Sequence, residues 1–96
     1  MNRKPYMSVG EAIEAFLEKY GLKTEAKIQA AIGDWERLMG SPIAQNTEKI
    51  WFNRGVLYVK MSSPVWKNEL QMARQKIAET MNREVKAKIV MEVKVI

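Results

Sequence analysis

The side chains best suited to chemistry in this 96-residue chain are cations set among aromatics. Lys49, Trp51, Arg54, Tyr58 and Lys60 fall within a dozen residues, and Lys67 and Arg74 follow. Flat rings flanked by positive charge grip single-stranded nucleic acid by base stacking plus backbone attraction. The same pair of rings also serves as a cross-strand contact that only stabilises a hairpin. Both readings stand at this level. The net charge of +5 favours acidic partners, nucleic acid or an acidic protein surface, or simply keeps the chain in solution.

Other chemistry is poorly supplied. There is no histidine and no cysteine. That removes the commonest general base, the commonest metal ligand, thiolate catalysis and disulfides. Glu11, Glu14 and Glu18 share a helix flank but have no further ligand type near them, so a solvated face explains them. Ser62 and Ser63 lack a basic partner and are expected to cap a helix. The five glycines are scattered, with no phosphate-cradling run. A non-enzymatic protein without metal or cofactor is expected. Apolar runs are too short to span a bilayer, and the first residues lack the apolar core of a signal peptide, so the expected location is cytoplasmic, away from membranes.

The elements that must position these residues follow from periodicity. Residues 1–7 read as a flexible arm and 8–96 as one domain. Ser8 with Glu11 forms a capping box, and Met7 is placed to staple onto Ala12. Val9, Ala12, Ile13, Phe16, Leu17 and Tyr20 then make one apolar helix face, stopped by Gly21 with Leu22 packing back. Thr24 is expected to cap a second helix with Ile28, Ala31, Ile32, Trp35 and Met39 on its stripe. Gly33 weakens that helix and permits close approach of another element. Ser41-Pro42 restarts a short turn or helix.

From Thr47 the period becomes two. With Arg54-Gly55 as a two-residue turn, Phe52 faces Leu57 and Ile50 faces Val59 on the inner side. Thr47, Lys49, Trp51 and Asn53 point outward, with Trp51 opposite Tyr58 and Lys49 opposite Lys60. Trp66, in "SSPVWKNEL", heads the stripe of a long helix with Leu70, Ala73, Ile77 and Met81. It reads as a core wedge whose loss should unfold the domain. Residues 89–96 form a last strand, with Ile89, Met91, Val93 and Val95 on one face and Val90 and Ile96 on the outer side, able to pair edge to edge. The order α-α-β-β-α-β implies an α+β, two-layer domain whose three-stranded sheet is covered on one face by helices.

Two segments resemble a known family. "DWERLMGSPIAQNT" and "GVLYVKMSSPVWKNELQMARQKI" are similar, in order and spacing, to tryptophan-bearing runs of the DciA family. The resemblance covers roughly residues 8 to 96. It implies a KH-like nucleic-acid-binding fold and a role in loading the DnaB-type replicative helicase onto single-stranded DNA. KH domains usually grip the backbone with a G-x-x-G loop, which is absent here. Longer members carry a basic extension, whereas this chain stops at the last strand, so any DNA contact made by such an extension is expected to be absent or moved. Trp51 stands where the family tends to carry a polar or charged residue, which marks it as a contact candidate. The site residues expected for nucleic acid or partner are Lys49, Trp51, Arg54, Tyr58, Lys60, Lys67 and Arg74. A general RNA- or DNA-binding module and a purely protein–protein or homodimer module are the alternatives.

Overall fold

The computed structural model describes residues 8–96; the expected arm at 1–7 and the Met7 staple lie outside the described residues. The chain runs through α1 (Val9–Lys19), α2 (Lys23–Gly33), α3 (Trp35–Met39), α4 (Ser41–Gln45), β1 (Thr47–Asn53), β2 (Val56–Met61), α5 (Pro64–Met72), α6 (Arg74–Val85) and β3 (Glu92–Val95). The architecture is α+β, with one three-stranded mixed sheet in the order β1-β2-β3. β1 and β2 are antiparallel, and β2 and β3 are parallel across the α5–α6 crossover.

The hairpin forms in the expected register. Phe52 pairs with Leu57, Ile50 with Val59, Trp51 with Tyr58 and Lys49 with Lys60. Arg54 and Gly55 take φ values of +49° and +81°, the left-handed pair of a turn whose twist matches the strands. One position departs from strict alternation. The register shifts between Thr47 and Lys49, and this bulge turns Thr47 inward. Its hydroxyl accepts from Trp35 Nε1 at 3.1 Å and donates to the Ile43 carbonyl at 2.7 Å.

The core lies between the sheet and α2, α3, α5 and α6. Ile28, Trp35, Leu57, Val59, Leu70, Ile77, Met81, Val93 and Val95 are buried there. Trp66 packs against this cluster but is only partly buried. The core tryptophan is Trp35, 5% exposed.

Both long helices break. α2 ends at Gly33 and α3 starts after Asp34, whose N–H bonds back to Ala30 and Ala31. A side chain at Gly33 would meet nothing within 4 Å, so that glycine weakens the helix without admitting a neighbour. The helix heading from Pro64 breaks at Ala73, whose N–H turns to Leu70, three residues back. The Gln71 carbonyl near the break accepts from Arg74 Nε at 2.9 Å, which satisfies a group that a helix end leaves open. Caps also differ from expectation. α2 begins at Lys23 with Leu22 as its cap, and Ser63 sits at the α5 cap without a side-chain bond. Ser62 instead ties to Asn46, donating from Oγ to its carbonyl at 3.0 Å.

α1 is well formed, but none of its residues is buried. Ser8 Oγ accepts from the Glu11 N–H at 3.1 Å, and Gly21 at φ +67° ends the helix. Gly21 and Leu22 N–H groups bond to the Glu18 and Leu17 carbonyls, a Schellman closure. The helix packs on α2, yet none of its residues is buried. Val9, Ile13, Phe16 and Tyr20 are each more than half exposed. The expectation that this face helps cover the sheet is therefore corrected: periodicity shows that a helix has an apolar face, not what lies against it.

The last strand is shorter than its apolar run. It starts at Glu92, and Val90 is buried while Met91 is 66% exposed. Asn82 causes the difference. Its Oδ1 accepts from the Ile89 and Val90 N–H groups at 3.0 and 2.7 Å, and its Nδ2 donates to the Val90 carbonyl at 3.0 Å. That clamp holds residues 89–90 out of strand geometry and turns Val90, read as outward, into the core.

Candidate nucleic-acid interface

The sheet face away from the core carries the cations and rings. Trp51 and Tyr58 oppose each other in the antiparallel pair. Their rings stack at 5.1 Å between centroids with planes 6° apart. Lys94 of β3 is in register with Tyr58, so the row reads Trp51–Tyr58–Lys94 across three strands. Lys49 Nζ lies 5.2 Å from the Trp51 ring centroid, and Lys94 Nζ lies 6.0 Å from that of Tyr58. The stack is thus capped at both ends by cation–π contacts.

Lys49 and Lys60 are opposed, which is unfavourable in a sheet. The fold relieves this by turning Lys49 onto Trp51 and Lys60 toward Glu48, 3.3 Å away. Periodicity alone misplaces this acid, because the bulge at Thr47–Lys49 breaks the alternation.

The other expected residues are distributed around this face. Arg54 sits in the hairpin turn at its end. Lys67, at the start of α5, lines one shallow hollow with Lys60, Ser62 and Ser63, so it extends the cationic surface. Arg74 lies elsewhere, in a hollow with Met72, Met91 and Glu92. Lys94 was not among the expected residues; its place beside Tyr58 depends on β3 lying next to β2, which no local pattern specifies.

The acidic flank of α1 is neutralised locally. Lys23 Nζ lies 2.7 Å from Glu14 and 3.3 Å from Glu18. The hydrogen bond and charge of Lys23 hold the Glu14 carboxyl below its ordinary range. Among the described residues no group of acids, histidines or cysteines is placed to hold a metal, and no helix is long and apolar enough to cross a membrane. The surface can attract anions, and a planar ring can stack on it only by displacing Lys49 or Lys94 from an end of the ring pair.

A family model described as "Dna[CI] antecedent, DciA" matches residues 8–95. No curated protein and no solved structure matches the chain.

Proposed function

The chain belongs to the DciA family, and from that premise we propose that it is a replication accessory protein that binds the DnaB-type ring helicase and assists its placement on single-stranded DNA. Family membership supports a helicase-loader-like role in replication, that of an accessory protein and not of a known enzyme. The match over nearly the whole chain is the observation that carries this reading.

Two surfaces of different chemistry divide the task. The Trp51–Tyr58–Lys94 row, with Lys49, Lys60 and Lys67 around it, contacts the DNA by charge and by stacking a base in place of the lysine at one end of the ring pair. It does so without the G-x-x-G loop of KH domains, which the sequence lacks. The exposed stripe Val9–Ile13–Phe16–Tyr20 of α1 contacts the helicase. An amphipathic helix that presents such anchors fits an apolar groove on a protein, not a phosphate backbone.

The test is interferometry of the full chain against the cognate helicase and, separately, against oligo-dT at low and moderate salt. Helicase binding at micromolar concentration that Phe16→Glu abolishes supports the reading; no binding at that concentration removes it. Oligo-dT binding that falls steeply with salt supports the DNA contact. Its absence at low salt leaves a purely protein–protein module.

A further inference from the structure

The two ends of the Trp51–Tyr58 stack are not equivalent. Trp51 stands on β1, an edge strand with no strand beyond it. A base on its outer side would hang past the sheet. Tyr58 stands on the central strand, and β3 lies beyond it with Glu92 and Lys94 exposed on the same face. A base on that side has a floor. The two cations differ in the same sense. Lys49 Nζ is 5.2 Å from the centroid of the indole, the ring type that attracts a cation best. Lys94 Nζ is 6.0 Å from the phenol centroid, at the outer limit of such a contact. Lys94 is therefore the cation that yields to a base, and once displaced it can meet a phosphate of the same strand.

That floor carries a carboxylate. Glu48, the acid beside Lys60, is paired with it at 3.3 Å. Among the described residues no cation lies within ion-pair distance of Glu92. Glu92 is in register with Val56, one outward row from the Tyr58–Lys94 pair. Outward residues of a strand repeat every ~6.6 Å, a spacing comparable to the width of a base. The edge of a base stacked on Tyr58 thus lies within reach of the Glu92 side chain.

We propose that the base stacks on the Tyr58 side of the ring pair, above β3, and that Glu92 reads its edge, selecting bases that carry an exocyclic amino group over thymine. The inference rests on the DNA contact proposed above and names which bases that contact prefers. Unstacked bases are recognised through hydrogen bonds to their Watson–Crick edges. An ionised carboxylate only accepts such bonds. It accepts from the amino group of cytosine or adenine, and a charge-assisted bond of this kind is stronger than a neutral one. Thymine sets a carbonyl on either side of its one N–H, and both repel a carboxylate. As an anion near phosphates, Glu92 lowers affinity for every strand; as an acceptor it discriminates among them.

Anisotropy titrations of the full chain with oligo-dC and oligo-dT of equal length, at low salt and neutral pH, test this. Both are pyrimidine strands of equal charge, so backbone attraction cancels in the ratio of affinities. The unsubstituted chain should bind oligo-dC at least about threefold more tightly. Glu92→Gln leaves an amide that accepts from cytosine or donates to thymine, so the ratio should fall to about one. Glu48→Gln removes a negative charge from the same surface and frees Lys60; both affinities should rise together and the ratio should stay. Both glutamates are exposed, so circular dichroism should show the fold intact in each variant. Equal affinities in the unsubstituted chain overturn the proposal and leave the DNA contact standing. So does a preference that survives Glu92→Gln, or one that Glu48→Gln also erases. Failure of both strands to bind removes the DNA contact itself, and this inference with it.

Discussion

Trp51 and Tyr58 stack face to face, 5.1 Å between centroids and 6° between planes, on directly opposed positions of β1 and β2. Each ring carries a lysine, Lys49 over one and Lys94 toward the other. A cross-strand aromatic pair of this kind contributes up to about 1 kcal/mol to a hairpin, and a binding platform contributes in addition to affinity. The two roles are separable by substitution. Trp51→Ala should weaken oligo-dT binding by about 1–3 kcal/mol, with a stability loss of at most about 1 kcal/mol. Trp51→Phe should keep most of both. Anisotropy and urea unfolding on the same variants check this; equal losses in the two measurements would reduce the pair to a hairpin contact.

Lys94 joins this surface only through tertiary structure, so it tests the geometry independently. If it neutralises a phosphate, Lys94→Ala should lower the slope of log affinity against log salt by about 0.7. Arg74→Ala should leave the slope unchanged, because Arg74 lies in a separate hollow beside Met72 and Met91. A salt series on both variants decides between one cationic face and diffuse attraction.

The hairpin was legible because two independent signals agree on it. The period-two pattern and the Arg54-Gly55 turn admit one common register, and a slip would bury Trp51 and Tyr58 in place of Phe52 and Leu57. That register placed four of the expected contact residues. What periodicity missed depends on particular side-chain partners, or on what lies against an apolar face, and hydropathy encodes neither. Thr47 turns inward because Trp35 and Ile43 meet its hydroxyl. Residues 89–90 leave the strand because Asn82 holds them. The α1 stripe has the spacing of a core helix, yet no α1 residue is buried. Trp66, which marks the family motif, is half-buried while Trp35 is enclosed.

The contrast between those tryptophans is measurable. Trp35→Ala removes an enclosed ring and its bond to Thr47, and should cost about 3–5 kcal/mol. Trp66→Ala removes a ring partly in water and should cost less, leaving a folded protein. Denaturation midpoints with unchanged m values would check the ranking. An unfolded Trp66→Ala variant would restore the wedge role read from its motif.

The hairpin turn joins stability to the proposed contact. Arg54 holds φ +49° beside Gly55 at +81°. A left-handed conformation costs an ordinary residue roughly 1–2 kcal/mol, and asparagine tolerates it better. Arg54→Asn should therefore stabilise the domain by up to about 1 kcal/mol. It also removes a cation from the end of the sheet face, so oligo-dT affinity should fall while the melting temperature rises. Gly55→Ala should act oppositely on stability, since its φ is unfavourable and the new Cβ would stand 3.3 Å from Met91 Cγ. Thermal melts and titrations of the two variants separate the terms. If Arg54→Asn raises stability and leaves binding unmoved, Arg54 is a turn residue alone and the contact face ends at Tyr58 and Lys49.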